Sequence, residues 1–285
     1  SIEDEGRGSE YGIVRVMPPT ISALVLNYRS PADTVKCVEA LLAQTLAQEM
    51  EIIIVDNHSC DESVGWVRAR FGSLPSVTIL ETRENIGYGR GNNLAASIAR
   101  GECLLIVNPD NVLPPDAAER LLRTAQQRPD IGIVGPALVY PDGTLRPSAR
   151  TFPVMRDLFH KRLFPEQWHR TYARDMTEKN TAPVPVDWLV GACLLIRTTV
   201  FRELGGFDER FFLFFEDIDF CRRAKKLGYG VLYDPTVRVK DRERRLSEGG
   251  ILSPLWKKTM RIHLMSAWRY FRKWGFGLDQ ADQTA

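Results

Sequence analysis

The stretch CLLIVNPDN, residues 103–111, decides how the chain is read. A continuous apolar run rich in Leu, Ile and Val is what a strand buried on both faces requires, so a strand is expected over 103–110. The run ends in Asn-Pro-Asp-Asn, which delivers one carboxylate, Asp110, fixed by Pro109 and flanked by the amides of Asn108 and Asn111.

Three similar runs precede it: ISALVLNY (21–28), EIIIVDN (51–57) and VTILET (77–82). Between them lie helix-like segments at about 32–45 after Ser30-Pro31, 61–71, 91–100, and 114–127 after Pro114-Pro115. This order predicts an α/β fold, a Rossmann-like, mixed but mainly parallel sheet flanked by helices. Ligands of such sheets collect beyond the carboxyl ends of the strands. Those ends carry Asn27, Asp56-Asn57, the 81–84 segment and the 108–111 segment, all polar. After IGIVGPALVY (131–140) the rhythm breaks over 141–183, then returns with VDWLVGACLLIR (186–197), a short helix near 198–204 and a helix from Glu216 to about 227.

Composition excludes several classes. With 285 residues and 44% hydrophobic content the chain can bury a full core. Lys+Arg of 38 against Asp+Glu of 36 leaves +2, too small an excess for a nucleic-acid partner. The five cysteines are scattered, with neither C-x-x-C nor a Cys/His cluster, which fits a reducing cytoplasm. SIEDEGRGSEYG, at the start, lacks the basic-then-apolar order of a signal peptide. No stretch reaches the ~18–20 apolar residues of a spanning helix.

Each polar strand end has two readings. Asp56 can accept a hydrogen bond from a nucleotide base or ribose, or it can turn the chain and cap the next helix. Gly87, Gly89 and Gly91 in NIGYGRGNN can bring backbone N–H groups close to phosphate, or simply make a tight turn; the spacing is no dinucleotide or phosphate-loop fingerprint. Asp110 is a hard oxygen ligand suited to Mg²⁺ or Mn²⁺, or part of a helix-initiating turn. Glu216, Asp217 and Asp219 emerge from FFLFF, where partial desolvation raises a carboxyl pKa and makes a general base; a helix dipole also favours acids there.

Taken together, ALVLNYRS, IIIVDNHSCD, ENIGYGRGNN, LLIVNPDN, DGTLRPSARTFP, DWLVGACLLIR and LGGFDERFFLFFEDIDFCRRAKKLGYGVLYDP resemble the family 2 inverting glycosyltransferases of GT-A fold, over about 20–275. Within the family the resemblance is to bacterial rhamnosyltransferase-like enzymes of cell-surface polysaccharide synthesis. It implies a 1–19 extension, a 20–250 catalytic domain with a nucleotide-sugar half (20–140) and an acceptor half (141–250), and a 251–285 helix and tail. Asp56 would contact the base, with Asn27, Asn85, Gly87, Gly91, Asn92 and Asn108 lining the nucleotide-sugar pocket. Asp110 would hold a divalent cation, Mg or Mn, bridged to the sugar diphosphate. Asp217, of the Glu216-Asp217 pair, would deprotonate the acceptor hydroxyl. The implied donor is a dTDP- or UDP-sugar, such as dTDP-rhamnose, and the implied acceptor is a polysaccharide or a polyprenyl-diphosphate-linked sugar. Lys240 stands where relatives carry a metal-completing His; with Arg244 or Arg245 it would supplement or replace the cation at the diphosphate.

Two other readings stay open. A nucleotidylyltransferase would want a Gly-rich basic loop after the first strand, where this chain has NYRSPADT. A non-catalytic sugar- or lipid-binding protein could use the same scaffold.

The tail PLWKKTMRIHLMSAWRYFRKWG (254–275) holds six Lys or Arg in 254–274, no Asp or Glu, and three of the chain's six Trp. At helical spacing Trp256, Met260, Leu264, Ala267, Phe271 and Trp274 share a face. The pattern suits an amphipathic helix on the inner face of the cell membrane, or a terminal helix docked on the domain.

Overall fold

The structure, a computed structural model, describes residues 18–154, 181–241 and 254–276. Arg244, Arg245 and the 155–180 part of the irregular stretch lie outside them.

β1 (Ile21–Asn27), β2 (Met50–Asp56), β3 (Val77–Glu81) and β4 (Cys103–Val107) are parallel neighbours in the order β3-β2-β1-β4. β2 and β4 are buried throughout, as their unbroken aliphatic runs require, whereas β3 at the sheet edge is only partly buried. The connections run through α1 (Pro31–Leu42), α2 (Ser63–Phe71), α3 (Tyr88–Ile98) and, after β4, α4 (Ala117–Gln126). Pro31 opens α1, where a missing N–H costs nothing.

β5 (Ile131–Val139) does not pair with β4. Following β6 (Leu145–Arg146), β7 (Ala149–Arg150), β8 (Val184–Pro185) and β9 (Trp188–Leu189), β10 (Cys193–Arg197) inserts between β4 and β5, antiparallel to both. The main sheet of nine described strands is completed by β11 (Gly230–Lys240), parallel to β5, and β8 at the far edge, with β6 paired to β5. β7 and β9 form a separate pair. The expected mixed, mainly parallel sheet between helices is therefore observed.

Alternate strand residues face opposite helical layers. Ile21, Ala23 and Val25 of β1 pack with Val38 and Leu41 of α1, Phe71 of α2 and Leu121 of α4. Leu24 lies in the core on the other face, which also takes in Ala95 of α3 and residues of α5 (Thr198–Glu203), α6 (Glu216–Lys226) and α7 (Pro254–Trp274).

Three expectations need correction. β4 ends at Val107, because residues 108–111 form a turn closed by Asn111 N–H to Asn108 O at 3.0 Å, with Pro109 at the position proline favours. α3 starts at Tyr88 rather than near 91, so Gly89 and Gly91 lie inside its first turn. A Cβ on Gly91 would sit 2.4 Å from Leu26 Cδ1, so this glycine lets α3 press onto β1. Third, the docked face of α7 is rotated. Ser266, Ala267, Tyr270 and Phe271 are buried, while Leu264, placed on that face from sequence, is 52% exposed. Polar anchors fix the rotation: Ser266 Oγ donates to Leu213 O at 2.8 Å, and Trp274 Nε1 donates to Asp219 Oδ1 at 2.8 Å. The side chain of Trp256 lies outside the described set.

Candidate active site

Because β10 runs antiparallel to β4, the residues just before it lie beside the carboxyl end of β4. Asn108 N–H donates to Ala192 O at 2.8 Å. The neighbouring Gly191 N–H donates to Asp217 Oδ2 at 2.9 Å. Two adjacent residues thus join the Asn-Pro-Asp-Asn turn, which carries Asp110, to the first turn of α6, which carries Glu216 and Asp217. Lys240 reaches the same end of the sheet. Its backbone pairs with Val112 in both directions, Val112 N–H to Lys240 O at 2.9 Å and Lys240 N–H to Val112 O at 3.1 Å, and its side chain is exposed.

The entry to α6 is strained. Phe214 and Phe215 both adopt left-handed backbone, φ 68° and 70°, which costs of order 1–2 kcal/mol each for a residue with a Cβ. The conformation is held from outside: Tyr88 N–H donates to Phe212 O at 2.8 Å, and Ser266 of α7 holds Leu213 O. The Phe215 ring packs on Tyr270 and His263, with centroids 5.4 Å from each.

The two carboxyls at this turn differ. Glu216 is 4% exposed, and its Oε2 has no hydrogen-bond partner among the described residues. Burial, then the charge of Asp217, pushes its pKa well above the usual carboxylate range. Burial also raises Asp217, but the N–H groups of Gly191 and of Ile218, at 2.8 Å from Oδ1, pull the other way, as does the charge of Arg150. The N–H groups of two other residues act on the Asp217 carboxyl and only its own N–H acts on Glu216, so Asp217 is the more readily ionised of the pair. The Tyr88 hydroxyl lies in the same field. Burial, then Glu216 and Asp217, then Cys193 and Asp110, raise it well above its ordinary value, so it stays protonated.

The other sequence-predicted residues form a second cluster. Asn27 Nδ2 donates to Asp56 Oδ1 at 2.7 Å and to Ser59 Oγ at 3.1 Å, while its Oδ1 accepts from Thr34 Oγ at 2.8 Å. Asp56 also accepts from the Ser59 N–H at 2.9 Å and hydroxyl at 2.5 Å. Three of its roughly four acceptor positions are occupied, leaving room for one outside donor. Asn85 Oδ1 accepts from Gly87 N–H at 3.0 Å and from Asn57 Nδ2 at 3.1 Å. Gly87, φ 87°, passes so close to Phe212 O that a Cβ would lie 2.4 Å away. Asn92 is buried and donates to Tyr88 O at 3.0 Å. The 87–92 segment is thus tied to the 207–215 loop, a link strengthened by Asn93, which binds Phe207 O at 2.9 Å and its N–H at 2.8 Å. Sequence reasoning assigned no role to Gly191, Ala192 or Arg150, and placed Tyr88 only within the 87–92 loop of the nucleotide pocket. Tyr88, Gly191 and Ala192 stand in ENIGYGRGNN and DWLVGACLLIR, but no local pattern singles them out.

Among the described residues no three His, Cys, Asp or Glu side chains cluster as a preformed metal cage. Asp241, the carboxylate next to Lys240, is buried and engaged by Arg146 and by Asn111 Nδ2 at 3.1 Å. What Asp110 offers is a single hard oxygen ligand at the sheet edge. That fits Mg²⁺ or Mn²⁺ held chiefly by substrate phosphates and water, with one or two protein carboxylates.

The family model described as Glycosyl transferase family 2 matches residues 22–205. An N-acetylglucosaminyl-diphospho-decaprenol L-rhamnosyltransferase of Mycobacterium tuberculosis is 31% identical over 239 residues, covering 78% of this chain and 76% of its own. A low-salt glycan biosynthesis hexosyltransferase, Agl10, of Haloferax volcanii is 25% identical over 75% of this chain and 64% of its own. Among solved structures, GalNAc-T7 with UDP, GalNAc and Mn2+ superposes with TM-score 0.63 at 15% identity, over 86% of this chain and 47% of that one. The mannosyltransferase PcManGT of Pyrobaculum calidifontis, with GDP-Man and Mn2+, gives TM-score 0.60 at 18% identity, over 90% and 65%. The fold is that of the GT-A glycosyltransferases.

Proposed function

The chain belongs to glycosyltransferase family 2 and is a glycosyltransferase; on that premise we propose that it inverts configuration as it moves L-rhamnose from dTDP-rhamnose to a polyprenyl-diphosphate-linked sugar. The observation that carries the site assignment is the asymmetry of the two carboxyls: Asp217 is oriented by the N–H groups of Gly191 and Ile218, whereas Glu216 is buried with its Oε2 unpartnered among the described residues and its pKa pushed well above the usual range.

In this reading Asp217 takes the proton of the acceptor hydroxyl as that oxygen attacks the anomeric carbon from the face opposite the departing diphosphate. Its raised pKa brings it closer to neutrality and makes it a better base than a solvated carboxylate. The cation, when bound, neutralises charge developing on the leaving diphosphate. Asp110 holds that end of the donor, and the exposed Lys240 ammonium lies within the same sheet edge to offset phosphate charge. Asp56 contributes its remaining lone pair to the base, and Asn27, Asn85, Gly87, Asn92 and Asn108 shape the pocket, while Gly91 serves the packing of α3 on β1. The M. tuberculosis relative, whose name specifies a diphospho-decaprenol substrate, supports the acceptor class.

A lipid-linked acceptor calls for a membrane-facing element. The outward face of α7 presents Leu264, Met265 and Trp268, each about half exposed, among exposed Lys258, Arg261, Arg269 and Arg272. No described helix is long and apolar enough to cross a membrane. The outer face of α7 instead suits the headgroup region of an anionic leaflet, so the reading places the protein on the inner face of the cell membrane.

The test is transfer itself. Purified protein with dTDP-rhamnose and N-acetylglucosaminyl-diphospho-polyprenol should yield dTDP and a rhamnosylated lipid of inverted anomeric configuration. Retained configuration would eliminate the single-displacement mechanism. No transfer from dTDP-rhamnose, with transfer from another nucleotide sugar, would reassign the donor.

A further inference from the structure

The geometry points to Tyr88 as a positioning residue for the base: its hydroxyl anchors Gly191, and Gly191 N–H holds the Asp217 carboxylate. This rests on the assignment of Asp217 as the base.

Three contacts carry it. The Tyr88 hydroxyl donates to Gly191 O, and Gly191 N–H donates to Asp217 Oδ2 at 2.9 Å. These two bonds involve the peptide groups on either side of the Gly191 Cα, which has no side chain to restrict its torsions. Left to itself this glycine is a soft hinge under the base; with the hydroxyl bound, one side of the hinge is fixed. Thirdly, Tyr88 N–H donates to Phe212 O at 2.8 Å, on the loop whose strained Phe214-Phe215 pair leads into Glu216 and Asp217. One residue therefore restrains the base from both directions, through its hydrogen-bond donor and through the chain that presents it.

Gly191 sits closely between the two groups. A Cβ there would lie 3.3 Å from Asp217 Cβ and 3.4 Å from Tyr88 Oη. An alanine there would press on the Asp217 side chain by a few tenths of an ångström while the tyrosine stays at ordinary contact distance. Because the hydroxyl stays protonated, it acts as a donor throughout the working pH range.

The experiment compares wild type, Tyr88→Phe and Asp217→Asn in initial-rate transfer assays across pH, with both substrates varied. Tyr88→Phe removes one oxygen and keeps the ring on Phe207, 6.1 Å between centroids, and the backbone bond to Phe212. We expect kcat to fall about five- to tenfold, the scale of one hydrogen bond, with donor KM within about twofold of wild type. The acid limb of the pH profile should move to higher pH, because an Asp217 that loses its N–H donor holds its proton more tightly. Gly191→Ala, which presses on the same carboxylate, should shift the limb in the same direction and guards against misfolding of the first variant.

If Asp217→Asn keeps wild-type activity, the base assignment fails. If Asp217→Asn is inactive while the Tyr88→Phe and Gly191→Ala profiles superpose on wild type, the positioning role is overturned and the base assignment survives. A Tyr88→Phe change confined to acceptor KM also overturns it, since the hydroxyl would then act on substrate directly.

Discussion

Replacing Leu264, Met265 and Trp268 together with serine removes the apolar patch of α7 without touching its docked face. About half of each side chain is solvent-exposed, 52%, 51% and 50%. For Trp that is about 100 Å², or roughly 2.5 kcal/mol of transfer at 25 cal/mol per Å²; Leu and Met contribute about 1 kcal/mol each. A loss near 4 kcal/mol corresponds to about a thousandfold weaker partitioning. The basic residues beside the patch remain, each contributing about 1 kcal/mol near an anionic surface, so the residual binding should vanish at high salt. The assay is co-sedimentation with vesicles rich in phosphatidylglycerol against phosphatidylcholine vesicles, at low and high ionic strength. Thermal stability is the control and should move little, because none of the three is a core residue. Truncating α7 is a poor substitute, since it would also remove Tyr270 and Phe271 from the core, where an aromatic-to-alanine change alone costs about 3–5 kcal/mol. Equal vesicle binding by wild type and the triple variant would refute the membrane role of this face.

Gly91→Ala should lower Tm by several degrees through overpacking of about 1–3 kcal/mol against Leu26, with donor KM unchanged in the surviving folded enzyme; a selective rise in donor KM would instead put this glycine against the nucleotide. Glu216→Gln tests the buried neutral acid by its pH dependence. Glu216 ionises near 4.5 when unfolded and well above that when folded, so its stabilising share is full below about pH 4.5 and lost as pH rises toward the folded value. Wild type should therefore lose Tm between pH 5 and 8 more steeply than Glu216→Gln in differential scanning calorimetry, and parallel curves would contradict the neutral-acid assignment. Lys240→Met should weaken donor binding about tenfold, measured calorimetrically with and without Mg²⁺ or Mn²⁺. Unchanged affinity in both conditions would remove Lys240 from the diphosphate site.

Much of this architecture is legible in local patterns. The unbroken aliphatic runs of β1, β2 and β4 reflect burial on both faces, and Pro109 and Pro31 punctuate the chain where a strand ends and a helix begins. Asp217 is marked by its place at the first turn of α6, behind a run of aromatics. What sequence hides is set by contacts distant in the chain. CLLIR of β10 reads as a buried strand, but nothing in five apolar residues says it runs antiparallel between β4 and β5, and that direction alone brings Gly191 to Asp217. The glycines of NIGYGRGNN leave a close approach to phosphate and a tight turn equally open until Leu26, Phe207 and Phe212 are seen against them. Helical periodicity likewise found the apolar residues of α7, yet their division between core and exterior follows from Ser266 and Trp274 bonding to Leu213 and Asp219.

The central claim is that Asp217 is the base, and Asp217→Asn addresses it most directly. Asparagine keeps the shape of the side chain and can still accept the Gly191 N–H bond, but it cannot take a proton. With donor binding preserved in calorimetry, transfer at saturating dTDP-rhamnose and lipid acceptor should fall about 10²- to 10⁴-fold. Transfer within threefold of wild type would contradict the assignment.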